Sequence, residues 1–150
     1  MRDLKNNIYV SQLRAVADDN GVDAYSYYID LGVGSRQSLV IGVMMGTAAG
    51  TLSSSVKLVP TLYEATATPL ASASYSAVAA ANIEGAFTTV DAAGEDALTQ
   101  WVGYKGTARY VLVYLNYTGA TGAWPIGVVA ITANSGTQPE AAPTTAALTS

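Results

Sequence analysis

The chain has 150 residues, half of them hydrophobic but only 12% charged, with a formal net charge of -4. That length can bury a single-domain core without covalent staples, while the charged share is about half that of an ordinary soluble domain. The absence of Cys and His excludes disulfides, thiolate metal sites and the commonest general base, and seven basic residues spread from Arg2 to Arg109 form no nucleic-acid footprint.

Residues 1–7, Met-Arg-Asp-Leu-Lys-Asn-Asn, read as an exposed arm. They lack the apolar stretch of a signal peptide, and no apolar run approaches the roughly 20 residues of a membrane helix, so folding in a cytoplasm without membrane contact is the expectation. Ile8 to Val16 alternates as a strand, although Leu13, Ala15 and Val16 leave a short helix open. Asp18-Asp19-Asn20-Gly21 predicts a tight hairpin turn, because Asn and Gly accept positive φ. Tyr25 to Leu31 is the second predicted strand and Gly32-Val33-Gly34-Ser35 the turn after it. Leu39 to Met45 is almost continuously apolar, as in a central strand buried on both faces.

Gly46 to Ser55 reads as a loop. Val56 to Ala65 is a strand whose Pro60 cannot donate to a ladder, which places it at an edge or on a bulge. Thr66 to Ala81 reads as a loop with at most one short strand, anchored by Tyr75 and Val78. Ile83 to Val90 is a predicted strand, Asp91 to Asp96 a turn, and Leu98 to Gly103 a short strand carrying Trp101. Gly103-Tyr104-Lys105-Gly106 then leads into the most strand-like segment, Tyr110 to Tyr117. Val111, Val113 and Leu115 fall on one of its faces, and Tyr110, Leu112 and Tyr114 on the other. A strand apolar on both faces needs a sandwich core on one side and a second sheet or partner chain on the other. The surplus of Tyr, ten against one Phe, suits such contacts.

Ile126 to Thr132 closes the sheet. Residues 134–150 are mostly Ser, Thr, Pro, Ala and Gly, with Asn134, Gln138 and Glu140 and with Leu148 as the one larger aliphatic, too little apolar surface to offset ordering entropy, and read as a flexible tail. The predicted architecture is all-β: an antiparallel β-sandwich or jelly-roll-like barrel of about seven to nine short strands over residues 8–133.

The residues offer little for catalysis. Gly32-Val33-Gly34-Ser35-Arg36 resembles a phosphate nest but lacks the helix and the Gly-Lys-Ser/Thr ending of a P-loop, so a hairpin turn is the plainer reading. Asp18, Asp19 and Asp23 offer oxygen ligands without the bidentate Glu of a calcium loop. Glu95 and Asp96 are adjacent, and neighbours on a strand or turn point apart. Ser54-Ser55-Val56-Lys57 matches the bare Ser-x-x-Lys spacing at the start of a strand, not on a helix. Asn116-Tyr117-Thr118 is a glycosylation sequon without a secretory signal. No enzyme activity and no cofactor or metal are expected.

Three segments carry a resemblance. The start Met-Arg-Asp-Leu-Lys-Asn-Asn-Ile, the middle Leu62-Tyr63-Glu64-Ala65 with Ala79-Ala80-Ala81-Asn82-Ile83-Glu84-Gly85-Ala86-Phe87, and Val102-Gly103-Tyr104-Lys105-Gly106-Thr107-Ala108-Arg109-Tyr110-Val111 follow in that order. Together they resemble a family of small structural proteins of tailed bacteriophages, over roughly residues 1–132 in outline. Gly-Tyr-Lys-Gly-x-x-Arg-Tyr is the most specific element. The chain departs from the family pattern at Ala65 to Leu70 and in its Ala/Thr/Pro-rich tail.

The resemblance implies a virion component assembled in the host cytoplasm, and specifically a capsid decoration (cement) protein on the outside of the head. Its partners would be the major capsid protein and other copies of itself, as in a homotrimer. Arg2, Asp3 and Lys5 on the arm, and Tyr104, Lys105 and Arg109 around the signature, are the possible contacts, although for Lys105 and Arg109 a structural role is the plainer reading, Arg109 bracing the turn against an acidic neighbour. A head–tail connector, tail terminator or tail-tube protein is the alternative. A carbohydrate- or host-binding module, using exposed Tyr with Trp101 or Trp124, is the third reading.

Overall fold

A computed structural model describes residues 8–19, 21–32, 38–67, 75–119, 123–133 and 144–146. Among the described residues, eleven strands form two sheets in which every pairing is antiparallel: β1 (Ile8–Asp19), β2 (Ala24–Tyr25), β3 (Tyr28–Asp30), β4 (Ser38–Met45), β5 (Lys57–Ala65), β6 (Ser76–Ala77), β7 (Ile83–Glu84), β8 (Thr99–Tyr104), β9 (Tyr110–Thr118), β10 (Trp124–Ala133) and β11 (Thr144–Ala146). Sheet A runs β1-β10-β4-β8-β7. Sheet B runs β11-β3-β9-β5-β6, with β2 also paired to β9. The expected all-β antiparallel fold is found, as a sandwich of two sheets. Among the described residues the only helical turn is a 3-10 turn at Ala80–Asn82.

Between the sheets, Leu13, Ile41, Val43, Ile126 and Val128 of sheet A meet Ile29, Leu58, Val111, Val113 and Leu115 of sheet B. All are the inward members of period-2 strands, so the alternation read from the sequence is what builds this core. The chain crosses repeatedly from sheet to sheet, and the predicted local hairpins give way to long-range pairing. β1 is a strand, not a helix, and it runs on through Asp18 and Asp19 to pair with β10. Two register shifts, at Gln12/Arg14 and Arg14/Ala17, bend it toward sheet B. The Leu13 carbonyl there accepts from the Tyr27 N–H at 2.7 Å. Gly21 supplies the positive φ expected at Asp18–Gly21, but the turn joins β1 to β2 of the other sheet.

Three further expectations need correction. Tyr25 to Leu31 is two strands, broken at Ser26 and Tyr27, whose polar groups bond Val113 and Leu13. Ile83 to Val90 is not one strand: only Ile83–Glu84 pairs with β8, Gly85 turns the chain at φ 81°, and Val90 bridges Leu58. Within the predicted flexible tail, Thr144–Ala146 pairs with β3, which backbone groups can do whatever their side chains. The remainder of the tail and residues 1–7 lie outside the described residues.

Pro60 sits in β5 without a bulge. The pairing with β9 is continuous from Lys57↔Thr118 to Ala65↔Tyr110. Leu58 N–H and Leu62 C=O both face away from β9, to Val90 and Val78, so the missing Pro60 N–H also lies on the side away from β9.

Candidate interaction surfaces

The signature segment is a corner where the chain passes from sheet A to sheet B. Tyr104 ends β8 with its side chain buried, and its hydroxyl donates to Glu64 Oε2 while accepting from the Ala108 N–H at 2.9 Å. Gly106 lies against the Tyr104 ring so closely that a Cβ there would meet it. The Lys105 N–H donates to the Asn82 carbonyl at 2.8 Å, and its side chain is exposed. Burial, with the Glu64 hydrogen bond second, pushes the Tyr104 phenol well above its ordinary range.

Arg109 grips Asp30 with two parallel bonds, Nε to Oδ1 at 2.6 Å and Nη2 to Oδ2 at 2.7 Å, and its guanidinium lies 5.0 Å from the centre of the Tyr110 ring. This bond holds Asp30 below the usual carboxylate range, assisted by the Gly32 N–H at 2.8 Å and opposed by partial burial. Of the expected contact residues, Tyr104 and Arg109 are therefore committed within the fold and Lys105 projects outward. Arg2, Asp3 and Lys5 lie outside the described residues.

The second face of β9 is closed by the chain itself. Tyr25 stacks on Tyr114 at 4.6 Å, Tyr63 meets both edge-on, and Tyr28 meets Tyr110 edge-on at 5.4 Å. Leu112 is fully buried in this layer with Tyr75, which the 75–78 segment brings over the sheet. Six of the ten tyrosines thus form a second, smaller core on the outside of sheet B. The Tyr114 hydroxyl donates to Asp23 Oδ2 at 2.7 Å, and that bond, with burial second, pushes its pKa up to about 12.

Among the described residues, nothing covers the apolar outer face of sheet A. Its cross-strand rows read Val10–Ile131–Val40, then Gln12–Val129–Gly42–Trp101, then Gly127–Met44–Thr99 with Val16 lying over Gly127. Trp101 lies flat on Gly42, where a Cβ would stand 2.6 Å from the ring, and it remains 47% exposed; Val10 is 67% exposed. Trp124, by contrast, is buried against Tyr117. The central strands β10 and β4 carry no charged residue; the first row continues through Gly103 to Glu84 on β7, and Arg14 stands on the edge strand β1 opposite Val128, between the second and third rows. Glu84 and Asp18 stand at the rim, opposite Gly103 and Pro125. The expectation that Leu39–Met45 is buried on both faces is corrected by Val40, which is 38% exposed.

Other sequence candidates disperse. Asp23 is taken by Tyr114 and by the Tyr117 N–H, away from any shared cation site, and no metal-binding cluster occurs among the described residues. Glu95 accepts from the Asp91 and Ala92 N–H groups, which lower its pKa, while Asp96 accepts from Ala48. Ser54 lies in the Ser53–Val56 turn and Lys57 begins β5. Arg36 of the nest-like turn is outside the described residues. A cleft of about 240 Å³ opens beside Glu64, Ser76, Asn82 and Thr107, but it holds one carboxylate, already bonded to Tyr104. No described helix is long and apolar enough to cross a membrane.

No protein-family model and no curated protein matches the chain. Among solved structures, a chain in the structure of infectious bursal disease virus, Gx strain, is similar over 88% of this chain at 14% identity and a TM-score of 0.47. The protein spans 33% of that chain's length.

Proposed function

We propose that the protein is a structural component of a tailed-bacteriophage virion that decorates and stabilises the outside of the head. The observation that carries this reading is the apolar outer face of sheet A, whose central strands β10 and β4 carry no charged residue. Such a face suits extended protein contacts. The net charge of -4 disfavours packing against encapsidated DNA and favours the outer side of the shell. The motif resemblance supports the same reading and supplies the major capsid protein as partner. Many copies, each adding a modest interface, stiffen a shell by their number.

The test is co-sedimentation of the purified protein with expanded heads that lack it, followed by heating. Binding with a raised disruption temperature supports the role. Heads that neither bind the protein nor gain heat resistance refute it.

One observation favours a second reading, a carbohydrate- or host-binding module: a half-exposed Trp101 held flat on a rigid sheet is a surface on which a sugar ring can stack. Saturable glycan-array binding that is lost in Trp101→Ala supports that alternative.

A further inference from the structure

We infer that the outer face of sheet A is a self-association face, covered by a second copy of this chain. The inference draws on the same face as the virion reading but does not require that reading to hold.

Four strands at about 4.8 Å spacing and about eight residues at 3.3 Å rise give a face of roughly 500 Å². That reaches the largest apolar patch a monomer ordinarily exposes, about 300–600 Å². Two such faces together bury roughly 1,000 Å², the size at which specific interfaces begin. The charge pattern selects the same occupant. The ionic groups stand at the margins of the face, Glu84 on β7 and Arg14 on β1, so a partner chosen by charge has nothing to read on β10 and β4, where two identical uncharged centres meet without like-charge repulsion. Glu84 and Asp18 stand at the rim, where water still screens them.

The shape permits a closed pair. A two-fold axis running between β4 and β10 lays β8 of each copy over β1 of the other. Trp101, the tallest side chain of the face, then meets the Val10 and Gln12 rows across the interface. Gly42 sharpens this arrangement. By leaving no side chain beneath the ring it keeps Trp101 flat, so the face stays level enough for sheet-on-sheet packing.

The test is sedimentation equilibrium of the full chain across micromolar concentrations, with acrylamide quenching of tryptophan in the same samples. A species of twice 15.4 kDa is expected. In it both tryptophans resist quenching, and dilution to monomer restores quenching of Trp101 while Trp124 stays protected. Val10→Lys and Val40→Lys each place two charges in the pair, and each raises its dissociation constant about a hundredfold or more. Both positions are substantially exposed, so circular dichroism and Tm should change little. A protein that stays monomeric with Trp101 quenched throughout overturns the inference, as does a dimer or trimer indifferent to both substitutions. Shielding of Trp101 only on added heads also overturns it, and leaves the capsid reading standing.

Discussion

Replacing Tyr104 by Phe removes one oxygen from the corner between the sheets, and the structure says what that oxygen does. It donates to Glu64 and accepts from the buried Ala108 N–H. Phe leaves the ring in its place against Gly106 but strands both partners. A hydrogen bond to a charged group contributes about 1.5–3 kcal/mol, and an unsatisfied buried N–H costs about 1–3 kcal/mol. Since Glu64 is partly exposed and recovers some hydration, we expect a loss of about 3 kcal/mol for the pair together. For a domain of this size that lowers Tm by about 6–12 °C.

The assay is urea and thermal unfolding of wild type, Tyr104→Phe, Glu64→Gln and the double variant. The double-mutant cycle should return a coupling above about 0.5 kcal/mol. The high phenol pKa adds a pH signature. A group whose folded pKa is raised contributes stability that is complete below its unfolded pKa, about 10, and is lost as pH rises toward the folded value. Tyr104→Phe should therefore remove part of the alkaline stability loss of the wild type. A cost under about 0.5 kcal/mol with no coupling refutes the account of the corner.

Other outcomes follow from the same geometry. Asp30 is held below the usual carboxylate range, so its contribution is present above an unfolded pKa of about 3.9 and fades as pH falls through the lower folded value. NMR titration of its carboxyl should show that displacement in wild type and its loss in Arg109→Ala; an ordinary midpoint in wild type contradicts the pair. Gly119 has φ 58°, and a Cβ there would run into the Ser55 carbonyl, so Gly119→Ala should cost about 2 kcal/mol or more in chemical denaturation. The Thr132 hydroxyl is buried without a hydrogen-bond partner, so Thr132→Val should be neutral or raise stability by up to about 1 kcal/mol. Gly42→Ala should displace the half-exposed Trp101 ring, increasing its acrylamide quenching in the monomer while costing under about 1 kcal/mol.

The sequence was most legible where period-2 alternation met a buried sheet face. Tyr110 to Tyr117 is readable to the individual side chain, whereas Pro60, which predicts an edge strand or a bulge, lies in a strand without a bulge whose outer neighbour β6 pairs only at Tyr63 and Glu64. Pairing was less legible. Asp18–Gly21 looks like a hairpin turn, yet β1 finds its partner more than a hundred residues away, because core packing and not the turn sets the pairing. Gly85 broke the predicted strand from Ile83, a single positive φ that apolar residues around it concealed.

The surfaces show a deeper ambiguity. The apolar outer faces of β9 and β4 look alike in sequence. In the fold one is closed by tyrosines that stand on the strands of sheet B, with Tyr75 brought over them by the 75–78 segment, and the other is open among the described residues. Apolar runs report that a face must be covered and are silent about what covers it. The Tyr surplus, read as a sign of external contacts, is spent mostly on the inner side of that question, and the open face carries Val, Met and Trp101. The Gly-Tyr-Lys-Gly-x-x-Arg-Tyr element likewise has an internal reason for most of its letters: Gly106 for the ring, Tyr104 for the corner and Arg109 for Asp30.

The central claim, that the protein decorates a phage head, is tested most directly by its copy number in purified virions, measured by quantitative mass spectrometry against the major capsid protein. Decoration predicts copies on the order of hundreds per particle, in a fixed ratio to the capsid subunits. A single ring of about six or twelve copies, or none at all, contradicts it.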